Sequence, residues 1–206
     1  MNFIYLNIVR LSWFLGAITL FMHDKIELQK YFNRIGNPII DSMNRALTHA
    51  GDGIFAIVVC IAFLFIRLKT ALLLFISFII SAGIVQLLKH FVFSDINRPY
   101  FTLRHDPDFR IIENFTYHTS NSFPSGHSAC IFAICTVIAF QYKSKIAWQI
   151  LLALIAILIG LTRVYLCQHF LQDVIAGSLI GTLIANYCCV LLKNKFESLN
   201  KPLRIR

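Results

Sequence analysis

The chain has 206 residues, of which 57% are hydrophobic and only 14% are charged. Soluble domains carry roughly 25% charged residues, so this composition excludes a single soluble core and predicts a membrane protein. The formal net charge of +9 does not indicate a nucleic-acid-binding protein, because the basic residues stand at the ends of apolar runs, as in membrane proteins.

Six apolar segments predict an all-α membrane protein with a bundle of six transmembrane helices. They cover residues 5–22, 53–66, 70–88, 128–141, 146–165 and 170–192. A span needs about 17–25 residues, so the second and fourth segments are short and must include flanking residues. No Pro-, Gly- or Ser-rich linker divides the chain, so residues 1–206 are expected to form one domain that ends in a basic cytoplasmic tail, residues 193–206.

The first segment allows two interpretations. It is apolar but contains Arg10, and a cleaved signal peptide is the alternative to a transmembrane helix. A signal peptide would have a basic stretch before the apolar part and a site of small residues after it. Neither flanks this segment, which ends at Met22. The sequence therefore favours a transmembrane helix.

The distribution of Lys and Arg predicts the orientation of the bundle. The short turns at residues 67–69 and 143–145 are basic, and cytoplasmic loops carry an excess of basic residues. The two longer connections, residues 23–52 and 89–127, mix basic and acidic side chains. We therefore expect these connections on the outer face, together with the short link at residues 163–169.

Three polar clusters fall on this outer face. They are Lys89 with Arg98-Pro99, Pro124-Ser125-Gly126-His127, and Thr162-Arg163 with His169 and Asp173. Each cluster alone has a structural explanation, such as snorkelling of the lysine, a helix cap or an ion pair at the membrane interface. Ionisable residues that border a membrane domain tend to be functional, so their joint position predicts one site.

The residue types in these clusters suit the transfer of a phosphoryl group. Lys89, Arg98 and Arg163 supply positive charge, and a guanidinium group can bind two phosphate oxygens at once. Ser125 and Gly126 open a helix, where a hydroxyl group, backbone N–H groups and the helix dipole favour an anion. The clusters therefore predict a phosphate-binding site.

The two histidines of the clusters have different settings. His169 and Asp173 are four residues apart, so they are expected on one helical face. There the carboxylate can accept the Nδ1 proton and leave Nε2 as the nucleophile. His127 has Ile131 rather than an acid four residues on. His169 is therefore the predicted nucleophile, and His127 is the predicted general acid.

The order and spacing of the clusters resemble the type 2 phosphatidic acid phosphatase superfamily over about residues 53–192. Residues 124–127 match its Pro-Ser-Gly-His motif letter for letter. Arg163, His169 and Asp173 match the spacing of another motif, with Thr where the family usually has Ser.

The first motif departs from the family pattern. Eight residues separate Lys89 from Arg98, which is two more than the family usually has. A loop or an added part of a helical turn at residues 91–95 would still let the lysine reach a phosphate oxygen, whereas snorkelling would give it no catalytic part.

The resemblance implies a lipid phosphate or diphosphate phosphatase that forms a phosphohistidine at the outer leaflet of a bacterial cytoplasmic membrane. It assigns catalysis to His169, His127 and Asp173, and phosphate binding to Lys89, Arg98, Ser125, Gly126 and Arg163. The family's phosphatases need no metal, and the sequence has no carboxylate cluster suited to Mg²⁺, so no cofactor is expected. The expected partners are the bilayer and a lipid such as undecaprenyl diphosphate, phosphatidylglycerophosphate, phosphatidic acid or lipid A.

Three alternatives and two open questions accompany this prediction. A lipid phosphotransferase would use the same phosphohistidine, a haloperoxidase of the superfamily would bind vanadate in the same pocket, and a non-catalytic lipid-binding protein would keep only the spans. Gly177 and Gly181 are spaced to pack within the chain or between chains, so the oligomeric state is open. The long loop at residues 99–123 is expected to select the lipid.

Overall fold

The computed structural model describes residues 3–113, 115–192, 194–196, 199–201 and 203. Its helices are α1 (Ile4–Met22), α2 (Lys25–Arg34), α3 (Pro38–Leu47), α4 (Gly53–Ile66), α5 (Leu68–Leu87), α6 (Pro99–Leu103), α7 (Gly126–Gln141), α8 (Ile146–Tyr165) and α9 (Leu171–Leu191). A 3₁₀ turn, Thr48–Gly51, follows α3, and a π turn, Leu88–Val92, follows α5. No strand occurs among the described residues, which confirms the all-helical prediction.

The six predicted apolar segments correspond to α1, α4, α5, α7, α8 and α9. By length and apolar character, α1, α5 with its π turn, α8 and α9 can each cross a membrane. The helical stretches Pro38–Gly51 and Gly53–Ile66 are bent by 58° relative to each other and together form a fifth candidate. The remaining helix, α7, has only 16 residues. The described residues thus contain four or five candidate spans, and the count of six stays a prediction.

Helix α7 lies among α4, α5, α8 and α9 and is buried along most of its length. A helix that is apolar on all sides is buried either in protein or in lipid, and here the neighbouring helices surround it. A Cβ atom at Gly177 of α9 would come within 2.2 Å of the Ser125 carbonyl oxygen, and one at Gly181 within 2.1 Å of the Ala129 oxygen. The two glycines therefore pack within the chain and let α7 and α9 approach closely.

Helix α1 packs into the bundle through polar as well as apolar contacts. Tyr5 is fully buried, and its backbone N–H donates to Gln149 Oε1 on α8 at 3.1 Å. Trp13 Nε1 donates to Ser178 Oγ on α9 at 2.7 Å. These contacts favour the transmembrane interpretation of the first segment over a signal peptide.

The predicted basic turns share one end of the bundle. The Leu68 backbone N–H donates to the Lys201 carbonyl at 3.0 Å, and a cavity at this end is lined by Arg67, Lys143 and Asn200 among others. The tail residues Lys193, Arg204 and Arg206 lie outside the described residues. Helices α2 and α3 and the turn after α8 meet at the opposite end, where Gln29 Nε2 donates to the Val164 carbonyl at 2.7 Å.

Candidate active site

The predicted nucleophile, His169, is buried in the turn between α8 and α9. The backbone N–H groups of Gln168 and His169 donate to the Arg163 carbonyl at 3.0 and 3.2 Å. Cys167 takes the left-handed conformation, with φ 53°, and so turns the chain back towards the end of α8. The turn therefore keeps His169 beside Arg163.

Positive side chains surround the imidazole of His169. Arg98 Nη1 lies 3.4 Å from Nε2 and also donates to the Gln168 carbonyl and side-chain oxygens at 3.2 and 3.1 Å. Burial, and then the positive charges of Arg98, Arg163 and Lys89, hold the pKa of His169 well below its usual range. The imidazole is therefore neutral near pH 7, which is the form that can act as a nucleophile.

Asp173 lies close to His169, but the two side chains are not hydrogen-bonded. Asp173 Oδ2 is 3.5 Å from His169 Nδ1, and that nitrogen has no hydrogen-bond partner in the described part of the chain. Oδ2 instead accepts the Ser122 hydroxyl at 2.5 Å and the Phe170 backbone N–H at 3.0 Å. The predicted shared helical face is wrong, because α9 begins only at Leu171 and the carboxylate caps its first turn.

The first motif reaches the site through the π turn at the end of α5. A π turn is wider than an α turn and takes up part of the extra length between Lys89 and Arg98. Lys89 is buried, and its Nζ donates to the Asn121 carbonyl at 2.9 Å. Arg98 binds the two residues before Asn121. Its backbone N–H donates to the Thr119 carbonyl at 2.9 Å, and its Nε donates to the Ser120 carbonyl at 2.8 Å. Both cations thus hold one segment, residues 119–121.

The second motif forms the start of α7. Ser125 caps the helix, because its Oγ accepts the backbone N–H and the hydroxyl of Ser128 at 3.3 and 3.0 Å. Its own N–H donates to the Asp173 carbonyl at 2.9 Å, which joins the second motif to the third. Gly126 is the first residue of the helix.

Arg163 lies near the end of α8 and is buried. Its Nη1 donates to Thr48 Oγ1 at 2.7 Å, and its Nε has no hydrogen-bond partner among the described residues. A buried N–H group without a partner is costly, so Arg163 retains a donor that suits an anionic ligand.

His127 meets an acidic residue that the sequence spacing did not reveal. Asp52 Oδ1 lies 2.5 Å from His127 Nε2, and Asp52 Oδ2 lies 2.8 Å from His49 Nδ1. Asp52 is remote from His127 in the chain, so no helical spacing connects the two residues. The sequence feature that could have indicated this contact is the pair of glycines on either side of Asp52, Gly51 and Gly53. Gly51 allows the close approach, because a Cβ there would come within 2.9 Å of the His127 Cβ.

A cavity of about 220 Å³ adjoins His127 between α4, α5 and α7. Gly51, Gly53 and Gly126 line it on one side, and Phe78 and Val85 line it on the other. The wall formed by α5 is mostly apolar, although Gln86 also contributes to it.

The predicted site residues therefore lie together at the end of the bundle opposite the basic turns. Direct contacts connect Arg98 with His169, Arg163 with the turn that carries His169, and Ser125 with Asp173. Among the described residues, no group of three or more His, Cys, Asp and Glu side chains has the arrangement of a metal site. The catalytic and phosphate-binding roles of these residues stay predictions.

Comparison with known proteins gives a family match and several similar curated proteins. Residues 70–197 match the PAP2 superfamily. Phosphatidylglycerophosphatase B of Bacillus subtilis is 31% identical over 163 residues, which are 73% of this chain and 74% of that protein. Lipid A 1-phosphatase of Porphyromonas gingivalis is 33% identical over 66 residues, which are 32% of this chain and only 15% of that protein.

Two solved structures have a similar fold. LpxE of Aquifex aeolicus has a TM-score of 0.67 and 27% identity, and the match covers 80% of this chain and 93% of that one. The transmembrane PAP2-type phosphatidylglycerolphosphate phosphatase of Bacillus subtilis has a TM-score of 0.67 and 23% identity, with 90% of this chain and 94% of that one covered.

Proposed function

The chain belongs to the PAP2 superfamily, and from this membership we propose that it hydrolyses a membrane lipid phosphate or diphosphate through a phosphohistidine, without a metal. The observation that carries the proposal is the setting of His169. A neutral, buried imidazole lies with its Nε2 3.4 Å from Arg98 Nη1, and its pKa is lowered by burial and by Arg98, Arg163 and Lys89. This arrangement suits attack on a phosphate held by those cations.

The proposed reaction has two steps. Arg98, Arg163 and Lys89 bind the phosphate oxygens, and His169 Nε2 attacks phosphorus while the bond to the lipid oxygen breaks. His127 gives a proton to that leaving oxygen. In the second step water attacks the phosphohistidine and gives a proton back to His127, so phosphate leaves and both histidines return to their first state. Asp173, 3.5 Å from His169 Nδ1, offsets the positive charge of the phosphorylated ring.

A lipid leaving group is supported by the cavity beside His127. The group that protonates the leaving oxygen must lie next to the leaving group, and the cavity of about 220 Å³ at His127 has apolar side chains of α5 on one wall. The two curated relatives are named for phosphatidylglycerophosphate and lipid A. We propose a substrate of this class, which includes phosphatidic acid and undecaprenyl diphosphate.

Phosphate release from purified lipids tests this function. With those four lipids in detergent micelles, we expect release from at least one of them in excess EDTA, because groups of the protein and no metal ion bind the phosphate in the proposed site. Vanadate should inhibit, since it imitates five-coordinate phosphorus. Activity that is lost in EDTA and restored by Mg²⁺ would contradict the mechanism. Radiolabel that moves to a second lipid rather than to water would identify a phosphotransferase.

The proposed site faces the exterior of the cytoplasmic membrane, and single cysteines test this orientation. In a variant without the six native cysteines, which are all buried and unpaired, Glu113→Cys should react with a membrane-impermeant maleimide applied to intact cells. Lys145→Cys should be shielded. Both positions are exposed, so the side of the membrane on which each residue lies, and not its burial in the protein, determines whether it is labelled. The reverse labelling pattern would place the active site in the cytoplasm.

A further inference from the structure

We propose that Asp52 is the positioning residue of the general acid, which orients His127 through Nε2 and stabilises its protonated form. The inference rests on the proposed function, because it deepens the role given there to His127. The site would then hold a second carboxylate and imidazole pair beside Asp173 and His169. Its carboxylate comes from the start of α4 and not from α7, the helix that carries His127.

The first observation is the direction of the Asp52 carboxylate. Asp52 stands at the N-cap of α4, where an aspartate usually accepts backbone N–H groups of the first helical turn. Its side chain makes no such bond. Asp24, at the N-cap of α2, shows the usual arrangement and accepts the N–H groups of Ile26 and Glu27. The Asp52 carboxylate instead lies 2.5 Å from His127 Nε2 and 2.8 Å from His49 Nδ1.

The backbone around Asp52 is anchored against α7. The thiol of Cys130, one helical turn after His127, donates to the Asp52 carbonyl at 3.6 Å, and the Asp52 N–H donates to the His49 carbonyl at 3.0 Å. Gly51 permits this approach, because a Cβ there would come within 2.9 Å of the His127 Cβ. The carboxylate therefore reaches His127 from a backbone that is already in place.

The charge around His127 explains why a carboxylate is needed. Burial, and then the positive charges of Arg163 and Arg98, act on His127, and both effects disfavour the imidazolium form that a general acid must have. The adjacent Asp52 carboxylate acts in the opposite direction and favours the imidazolium form. Because Asp52 occupies Nε2, Nδ1 is the ring nitrogen that gives the proton to the leaving oxygen and later takes one from the attacking water.

Replacement of Asp52 by Asn tests the proposal, because Asn is an equally good N-cap but carries no charge. We compare kcat/KM, which reports the steps up to departure of the leaving group and excludes the later hydrolysis of the phosphohistidine. For an alkyl phosphate lipid we expect kcat/KM of Asp52→Asn to fall roughly 10²-fold, the lower end of general acid catalysis, with KM little changed. For p-nitrophenyl phosphate, whose leaving group needs little protonation, the fall in kcat/KM should be less than about threefold. Adding Asp52→Asn to His127→Ala should cause no further loss, since both changes remove the same function.

Asp24→Asn is the matched control and should leave both activities unchanged. Asp52→Ser, another good N-cap, repeats the test if the first variant is poorly folded. An equal fall on both substrates in a folded Asp52 variant would make Asp52 structural and overturn the inference. A wild-type protein that releases no phosphate, or a His127→Ala variant without any dependence on the leaving group, would instead contradict the proposed function.

Discussion

The His169→Ala variant is expected to lose activity by roughly 10⁴-fold or more, the scale seen when a catalytic nucleophile is removed. The physical reason is geometric. Nε2 of His169 is the atom that lies beside Arg98 Nη1, at 3.4 Å, and burial keeps the ring neutral. Water alone would lack this position and this nucleophilicity. Phosphate release should therefore vanish, and labelled substrate should no longer yield an acid-labile phosphoprotein.

His105→Ala is the control for this variant, because His105 is exposed and contacts Arg104 rather than the site. It should retain wild-type activity and labelling. If His169→Ala still traps phosphate on the protein, another residue is the nucleophile. If it retains the wild-type rate, a phosphohistidine at His169 is not part of the reaction.

Lys89→Met is expected to lower kcat/KM by roughly 10²-fold or more, the effect of losing one preorganised charge near the transition state. Met keeps an apolar stem of similar length and removes the charge. Lys89 is buried and holds the Asn121 carbonyl at 2.9 Å, in the segment that Arg98 also holds. A lysine that only snorkels would tolerate this change. Steady-state kinetics on a lipid phosphate separate the two cases.

Lys145→Met, at the basic end of the bundle, is the matched control and should not change the kinetics. Arg98→Lys should also be costly, because a point charge cannot replace a guanidinium fork. A Lys89→Met enzyme with unchanged kinetics would remove Lys89 from the site and leave Arg98, Arg163 and the two histidines in place.

The apolar helices could be predicted because a long apolar run has few alternatives to a buried or lipid-facing helix. Helices α2 and α3 were not predicted, since they have no apolar run. The position of α3 depends on distant polar contacts, in which Arg110 donates to Asp41 through two hydrogen bonds of 2.7 and 2.9 Å and Tyr165 donates to the same carboxylate at 2.5 Å. Such contacts leave no local pattern in the sequence.

The candidate site likewise contains residues that the sequence predicts and contacts that it does not. Two sets of residues could be proposed because their spacings match motifs of the superfamily: residues 124–127, and Arg163 with His169 and Asp173. The partners of Asp173 and His127 could not, because Ser122 and Asp52 come from other elements. Their hydrogen bonds, at 2.5 Å to each partner, arise only when the loop before α7 and the start of α4 fold against the central helices.

The glycine contacts between α7 and α9 have a consequence for how this enzyme can diversify. Gly177 and Gly181 leave no room for a Cβ beside the Ser125 and Ala129 carbonyls, so the two helices that begin beside the histidines are held at one separation. The cavity beside His127 is bordered by the start of α7 and also by α4 and α5, which lie outside that pair. Substitutions at the α5 positions that line the cavity, such as Phe78, Ala82 and Val85, would therefore change the proposed wall for the lipid and leave Asp52, Lys89 and the two histidines in place, so new substrate preferences can evolve on an unchanged catalytic frame.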